Sequence, residues 1–268
     1  MKLLFSEHTS DYTHYIFPYA IWAIPEDSDT PVKLFSRGFL PSSRDLDRFY
    51  MCRHVRVNLK LFQPSSENRR ILRKGDKIEY RLIPKNQFNY SQKRKEFYKN
   101  YADSKFGKDV MTYERLDSLF QSKIITHLLL FTDTETKKEV GTVTLYLEKD
   151  ILAYYYYAFY DLNYHSRNLG IFMMTSAVDY FTEQHYKYIY LGTCYTRNAL
   201  YKTQFIGAEF FNGFSWSGNL EELKYLINRD NQNIQKHLLE TDEYIEKFYD
   251  GEFKKISKES EFSFINAE

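Results

Sequence analysis

Residues able to do chemistry gather in three parts of this 268-residue chain. The first is "NLKLFQPSSENRRILRK", Asn58 to Lys74, where an apolar run ends at Pro64 and opens into Arg69, Arg70, Arg73 and Lys74. With Arg53 and Arg56 just upstream, these guanidinium and ammonium groups suit phosphates or carboxylates. The second is "YDLNYHSRNLGIF", in which Tyr160 and Asp161 close an aromatic run and Asn168 and Gly170 stand at a helix start. A helix N-terminus offers unpaired N–H groups and a positive dipole end to an anion, and Gly170 permits close approach. The third is "LGTCYTRNALYKTQF", which carries Gly192, Tyr201, Lys202 and Gln204. Two cysteines, Cys52 and Cys194, make neither a disulfide framework nor a four-ligand zinc site, so no metal is expected.

Charge places the basic residues in context. The net charge is +1, yet residues 48–108 hold 17 Lys and Arg against 5 Asp and Glu, and the remainder holds 20 against 31. A cationic block on an acidic chain signals either a basic tail or a folded surface that meets polyanions. Apolar strand-like runs interrupt the block, which favours a folded surface. The hydrophobic content of 43% is ample for a core, and no apolar run approaches the length of a membrane span. The first residues, "MKLLFSEHTSDY", turn polar too early for a secretory signal, so the expectation is a cytoplasmic protein that does not engage a membrane.

The elements that must position these residues follow from periodicity. "MCRHVRVNLKLF" alternates Val55, Val57, Leu59 and Leu61 with His54, Arg56, Asn58 and Lys60, which predicts a half-buried strand with a basic outer face. "NYSQKRKEFYKNY" places Phe97 and Tyr101 at helical spacing among lysines, as on a surface helix. The second half reads as strand (140–148), strand (153–161), helix (166–185), strand (186–192), short helix (196–205) and strand (208–217). That alternation implies an α/β sheet with its site at the carboxyl ends of the strands. Tyr154 to Tyr157 reads as sheet packing, His54, His165 and His185 as structural or surface residues, and residues from Asn219 onward as two charged helices and a tail. The expected division is a basic N-terminal region (1–108), a catalytic region (109–218) and a C-terminal helical extension (219–268).

"RNLGIF" resembles the pyrophosphate loop of the GCN5-related N-acetyltransferases, with Arg167 and Gly170 in place but Phe172 where that loop has Gly or Ala. Four longer blocks, "KLFSRGFLPSS", "CRHVRVNLKLFQPSSENRR", "FYDLNYHSRNLG" and "YIYLGTCYTRNALYKTQF", resemble in order and spacing the arginyl-tRNA-protein transferases and their bacterial leucyl-transferring relatives. The similarity spans most of residues 30 to 215. It implies an α/β (α+β) fold with an acyltransferase-like mixed sheet and flanking helices, preceded by a smaller basic region. It also implies an activity in the N-degron pathway, transfer of arginine or leucine from charged tRNA to a protein N-terminus. The family's basic stretch falls on Gln63 to Arg70 and loses two basic positions, whereas its Tyr-Lys-x-Gln-Phe block is intact at Tyr201 to Phe205. The family's cysteine cluster is reduced to Cys52, with Phe49 where a partner would stand, so no cofactor is expected beyond aminoacyl-tRNA as cosubstrate.

The resemblance implies roles as well. Asp161 either orients the acceptor amine or the transferred amino acid, or simply caps a strand-to-helix turn. Lys202 would hold a terminal phosphate or the leaving ribose oxygen, and Gln204 the aminoacyl group, beside Tyr160 and Tyr201. Backbone donors would come from the gap between the strands ending near Tyr160 and Gly192. Arg53, Arg56, Arg69, Arg70, Arg73 and Lys74 would take tRNA phosphates or the acidic side chain of an acceptor protein or peptide. Two alternatives stand beside this: a coenzyme A-dependent N-acetyltransferase, and a binding protein that kept the fold without catalysis.

Overall fold

The computed structural model describes residues 1–7, 11, 19–108, 110–232 and 236–262. The side chains of residues 165–167 lie outside that description, and with them the expectations for His165 and Arg167. The strands are β1 (Lys2–Glu7), β2 (Tyr19–Ile24), β3 (Phe39–Pro41), β4 (Phe49–Met51), β5 (His54–Asn58), β6 (Ile78–Pro84), β7 (His127–Asp133), β8 (Glu139–Glu148), β9 (Leu152–Tyr160), β10 (Tyr188–Thr193), β11 (Ala208–Phe211) and β12 (Trp216–Ser217). They form a four-stranded sheet, β1-β2-β4-β3, and an eight-stranded mixed sheet, β12-β11-β5-β10-β9-β8-β7-β6. Helices α1 (Pro31–Ser36), α2 (Ser66–Lys74), α3 (Gln92–Phe106), α4 (Tyr113–Gln121), α5 (Leu169–Glu183), α6 (Leu220–Asp230), α7 (Asp242–Tyr249) and α8 (Phe253–Glu259) flank them. This is the expected α/β class. No helix among the described residues is long and apolar enough to cross a membrane.

Between β9 and β10 lies the one parallel pairing described, bridged by α5. That helix is apolar on nearly every side because it lies on the sheet: Met173, Val178 and Phe181 are fully buried with Val143, Leu145, Ala153 and Ile189. At about 1.5–3 kcal/mol per buried side chain, this layer is a major part of the fold's stability. β5 (from 1–108) lies between β10 and β11, and β6 pairs with β7, so strands from both sides of residue 108 share one sheet.

Four expectations need correction. β5 has no basic outer face: His54 and Arg56 are buried like Val55 and Val57, His54 fully and Arg56 nearly so, because both sides of the strand are covered. The strand ends at Asn58 rather than Phe62, where the Leu61 N–H turns back to the Asn58 carbonyl at 3.0 Å. "AEFFNGFSWS" is a hairpin and not one strand, since Asn212 and Gly213 turn the chain so that Phe211 pairs with Trp216. The region after Asn219 contains three helices, α6 to α8.

Candidate functional site

β9 and β10 pair only from Leu152/Tyr188 to Tyr154/Tyr190. Beyond that point β9 stays with β8 and β10 follows β5, so the two strands part. A bulge between Tyr190 and Gly192 makes the divergence, and Gly192 takes φ +83°, a backbone region that strains other residues. Into this opening the 3-10 helix Arg197–Thr203 delivers Lys202, whose Nζ donates to the Thr193 carbonyl at 2.7 Å. A Cβ at Gly192 would lie 3.6 Å from that Nζ, an ordinary contact, so the positive φ rather than the lysine calls for glycine here. Burial lowers the Lys202 pKa below its usual 10.5. Among the described residues it forms no ion pair with a carboxylate, unlike most of the chain's inward-facing cations.

On one side of the opening is a cavity of about 270 Å³ at the start of α5. Tyr101, Tyr155, Tyr160 and Tyr201 line it together with Asn168 and Gly170. The rings of Tyr101 and Tyr160 stand 4.7 Å apart, and burial raises the pKa of Tyr101, Tyr155 and Tyr201, so these phenols stay protonated at neutral pH. None of the described lining residues is Lys or Arg. Phe172, at the last position of the loop-like "RNLGIF", turns into the core against Phe131 and over Gly75, where α2 ends.

Other candidates are placed as follows. Asp161 is buried and holds the turn after β9: Oδ1 accepts from the Asn163 N–H and side-chain amide at 2.9 Å each, and Oδ2 from Lys138 at 2.6 Å. It does not line the tyrosine cavity. The Gln204 side-chain nitrogen is buried and makes no hydrogen bond among the described residues. Arg56 is committed to Glu209 at 2.7 Å and lies between the rings of Trp216 and Tyr188, 3.7 and 4.2 Å from their centroids.

Arg69, Arg70 and Lys74 are exposed on α2 with Arg73. That helix starts at a capping box between Ser65 and Asn68 and buries Asn68 and Ile71. Arg70 pairs with Glu67 within the helix. The cationic block as a whole is partly neutralised by folding. Arg53, Arg56, Lys77, Arg94 and Lys95 meet Asp230, Glu209, Glu135, Glu139 and Asp117, all carboxylates from outside residues 48–108.

A second cavity, of about 720 Å³, lies on the other side of β10, between the small sheet and α6. Tyr50, Cys52, Arg53, Thr193, Tyr195 and Asp230 border it. Cys52 Sγ is 3.5 Å from His54 Nδ1, and burial pushes the Cys52 thiol up and the His54 imidazole down to about 3, so both are neutral. Asp230 was missed by sequence reasoning: no motif marks a residue that the fold brings to Arg53 from 177 positions away.

No family model matches the sequence, and no curated protein matches it. Among solved structures, the C-terminal domain of a protein described as a lysylphosphatidylglycerol synthetase from Agrobacterium fabrum aligns with 12% identity and a TM-score of 0.43, over 53% of this chain and 46% of that one. L-PGS from Bacillus licheniformis aligns with 14% identity and a TM-score of 0.38 over the same shares. FemX aligns with 8% identity and a TM-score of 0.39, over 53% of each chain. The chain thus spans about half the length of each of these structures.

Proposed function

We propose that the chain is an aminoacyl-tRNA-dependent transferase, which moves an amino acid, arginine or leucine, from the tRNA 3′ end to the α-amine of an acidic protein N-terminus and so tags it for degradation. The observation that carries this reading is the position of α2. The helix turns its cationic face outward while its end at Gly75 packs on Phe172 in the first turn of α5, and α5 itself starts at the tyrosine cavity. A polyanion that ends in a flat aromatic group suits that pair of surfaces, phosphates on Arg69, Arg73 and Lys74 and a base among the tyrosines. Coenzyme A fits less well, since Phe172, where the pyrophosphate loop has Gly or Ala, faces the core.

The ester on a charged tRNA is already activated, so the work is positioning and proton movement. The acceptor nitrogen bonds to the ester carbonyl carbon and the carbon–oxygen bond to the ribose breaks. Lys202, in its neutral form, takes the proton that the amine loses and returns it to the leaving ribose oxygen. Backbone N–H groups at the β9/β10 opening steady the oxyanion, and Gln204 offers its amide to the aminoacyl group. In this scheme Asp161 shapes the turn that leads to Asn168 and Gly170.

The test is an incubation with charged tRNAs and peptides that start in Asp, Glu or Ala, read by peptide mass. A gain of one aminoacyl residue supports the reading. Absence of any gain with every charged tRNA, alongside turnover of acetyl coenzyme A, overturns it.

A further inference from the structure

A third cavity, of about 170 Å³, is bordered by α4, by β9 and by the loop that carries Arg44 between β3 and β4. It shares no described lining residue with the tyrosine cavity or with the larger one. Its polar wall is built from two directions. Arg115, Ser118 and Ser122 stand at helical spacing along one face of α4 and its C-cap. On β9 successive side chains should point to opposite faces of the sheet, yet Tyr156 and Tyr157 both reach this cavity. The cause is a bulge: Tyr157 pairs with Thr144 and Tyr155 with Leu145, so Tyr156 is the extra residue and its side chain is re-aimed. The rings of Tyr156 and Tyr157 then meet edge to face at 4.7 Å.

The charge of this wall is one-sided. Arg44 and Arg115 are exposed and meet no carboxylate among the described residues. The acids nearest them in sequence are occupied elsewhere: Asp45 with Lys123 at 3.3 Å, Glu114 with Thr112 at the helix start, and Asp117 with Lys95 at 2.6 Å. Arg115 gives one bond, from Nη1 to the Val110 carbonyl at 2.8 Å, which leaves most of its five donors. Ser122 is only 4% exposed, and its hydroxyl has no hydrogen-bond partner among the described residues, a rare state for a buried polar group. The negative end of α4 opposes an anion here, but the Lys85 ammonium offsets it by donating to the Ser122 carbonyl at 2.7 Å. Burial keeps the Tyr156 phenol protonated against the pull of the Arg115 guanidinium.

We propose that this cavity binds a phosphate group, as free phosphate or as the end of a small phosphomonoester, held by Arg44 and Arg115 with the hydroxyls of Ser118, Ser122 and Tyr156. Size separates a whole ligand from a group: ligand pockets run to roughly 300–1,000 Å³, so 170 Å³ encloses a headgroup and leaves the rest of the molecule outside. Donor count separates the oxyanions. A carboxylate brings two oxygens and one charge, whereas a phosphomonoester brings three oxygens and up to two charges, a match for two guanidinium forks and three hydroxyls. A phosphodiester has one charge and two free oxygens and uses the set less fully. The site stands independently of the aminoacyl-transfer reading.

Isothermal titration of the full chain at constant ionic strength tests this, with glycerol 3-phosphate, inorganic phosphate, dimethyl phosphate and acetate as probes. Glycerol 3-phosphate or inorganic phosphate is expected to bind with a Kd of about 1 mM or tighter, at least about tenfold more tightly than dimethyl phosphate or acetate. The tighter of the first two identifies the source, ester or free phosphate. Arg44→Ala and Arg115→Ala are each expected to weaken that binding at least about tenfold, whereas Lys149→Ala, the same charge change on the exposed turn between β8 and β9, leaves it unchanged. Equal losses from all three variants, or no binding of either phosphate, overturn the proposal. Ser122→Ala supplies a readout that general charge does not move. It should leave the Tm of the free protein unchanged, because the hydroxyl bonds to nothing there, and reduce the rise in Tm that the bound phosphate causes. An undiminished rise overturns the proposal. So does displacement of the bound phosphate by uncharged tRNA, which would assign the cavity to a nucleic-acid surface.

Discussion

Gly170 lies directly against Tyr160: a Cβ at Gly170 would stand 2.9 Å from both the hydroxyl oxygen and Cζ of that ring. Tyr160 has little room to yield, because Tyr101 packs 4.7 Å away on the cavity wall. Gly170→Ala gains up to about 1 kcal/mol of helix propensity and loses about 1–3 kcal/mol to overpacking. The expectation is a net loss of stability, seen as a lower Tm. In a double-mutant cycle with Tyr160→Ala the two changes should couple by at least about 1 kcal/mol, since the second removes the ring that the first strikes. Additive effects would show that the two residues do not touch.

Asp161 is expected to matter for stability more than for transfer. Burial pushes its pKa up, but the Lys138 ammonium and the Asn163 amide outweigh burial and hold it below the usual 3.8. A depressed carboxyl pKa contributes stability that is present above 3.8 and lost as pH falls through the folded value. Asp161→Asn should therefore cost about 1 kcal/mol at pH 7, discounted because Lys138 is largely exposed, and should flatten the acid limb of stability. Urea unfolding from pH 7 to pH 3 measures both. A loss of transfer as large as that from Lys202→Ala, without a loss of stability, would return Asp161 to a direct role.

Exposed and buried arginines should separate by salt dependence. Arg69, Arg73 and Lys74 are exposed on α2, whereas Arg56 is spent on Glu209 and two rings. Neutralising the three to alanine is expected to reduce the slope of log affinity for tRNA against log salt by about one for each phosphate that no longer meets a cation. Arg56→Ala leaves Glu209 without its partner. It should leave that slope unchanged while lowering stability by about 3–5 kcal/mol.

The parts of this fold that depend on neighbours in sequence were legible. β8, β9, α5 and β10 are long, apolar and correctly spaced, so their order follows from periodicity, whereas the gap between β9 and β10 was implied only by the resemblance and turns on the bulge between Tyr190 and Gly192. What escaped depends on partners far along the chain. The alternation of His54 and Arg56 with valines reads as a half-exposed strand, and only Glu209, 153 residues away, and the Trp216 ring make the second face a buried one. Asn212 and Gly213 lie inside an apolar run that masked a hairpin signal. Tyr160, Gly170 and Tyr201 were singled out by their motifs and share the wall of the smaller cavity, whereas Lys202 from the same motifs bonds to the Thr193 carbonyl. The larger cavity was not legible, because Arg53, Thr193 and Asp230 come from three separate parts of the chain.

Glu222 ties the C-terminal helices to that larger cavity. Its buried carboxyl oxygens accept from Tyr244 and Ser217 at 2.6 Å and from Tyr249 and Asn212 at 3.1 Å. It sits two turns before Asp230 on α6. Glu222→Ala removes the acceptor of four buried or half-buried donors, of which Asn212 keeps the Tyr249 hydroxyl, and should cost more than about 3 kcal/mol in urea unfolding. It should also speed proteolysis between residues 236 and 262. Unchanged proteolysis would mean that α7 and α8 are held by apolar packing alone.

Lys202 is expected to control transfer through its charge. Lys202→Met keeps the length and apolar stem but cannot take a proton, and should lower the transfer rate by about 10²–10⁴-fold. With Lys202 present, transfer should rise with pH through a value below the 10.5 of a free lysine, because the lowered pKa makes the neutral base available earlier. The same shift has a stability signature of fixed sign. Burial disfavours the charged form in the folded state, so the unfolded chain binds more protons between the folded pKa and 10.5, and the wild type gains stability as pH rises across that window. The methionine variant lacks this dependence. Relative to wild type it should gain stability as pH falls from 10.5 toward the folded pKa and hold a constant difference below it. Parallel unfolding curves from pH 7 to pH 10.5 with a reduced transfer rate would leave Lys202 a positioning group for a phosphate or ribose oxygen, and chemical rescue of Lys202→Ala by added methylamine would restore it as the proton carrier.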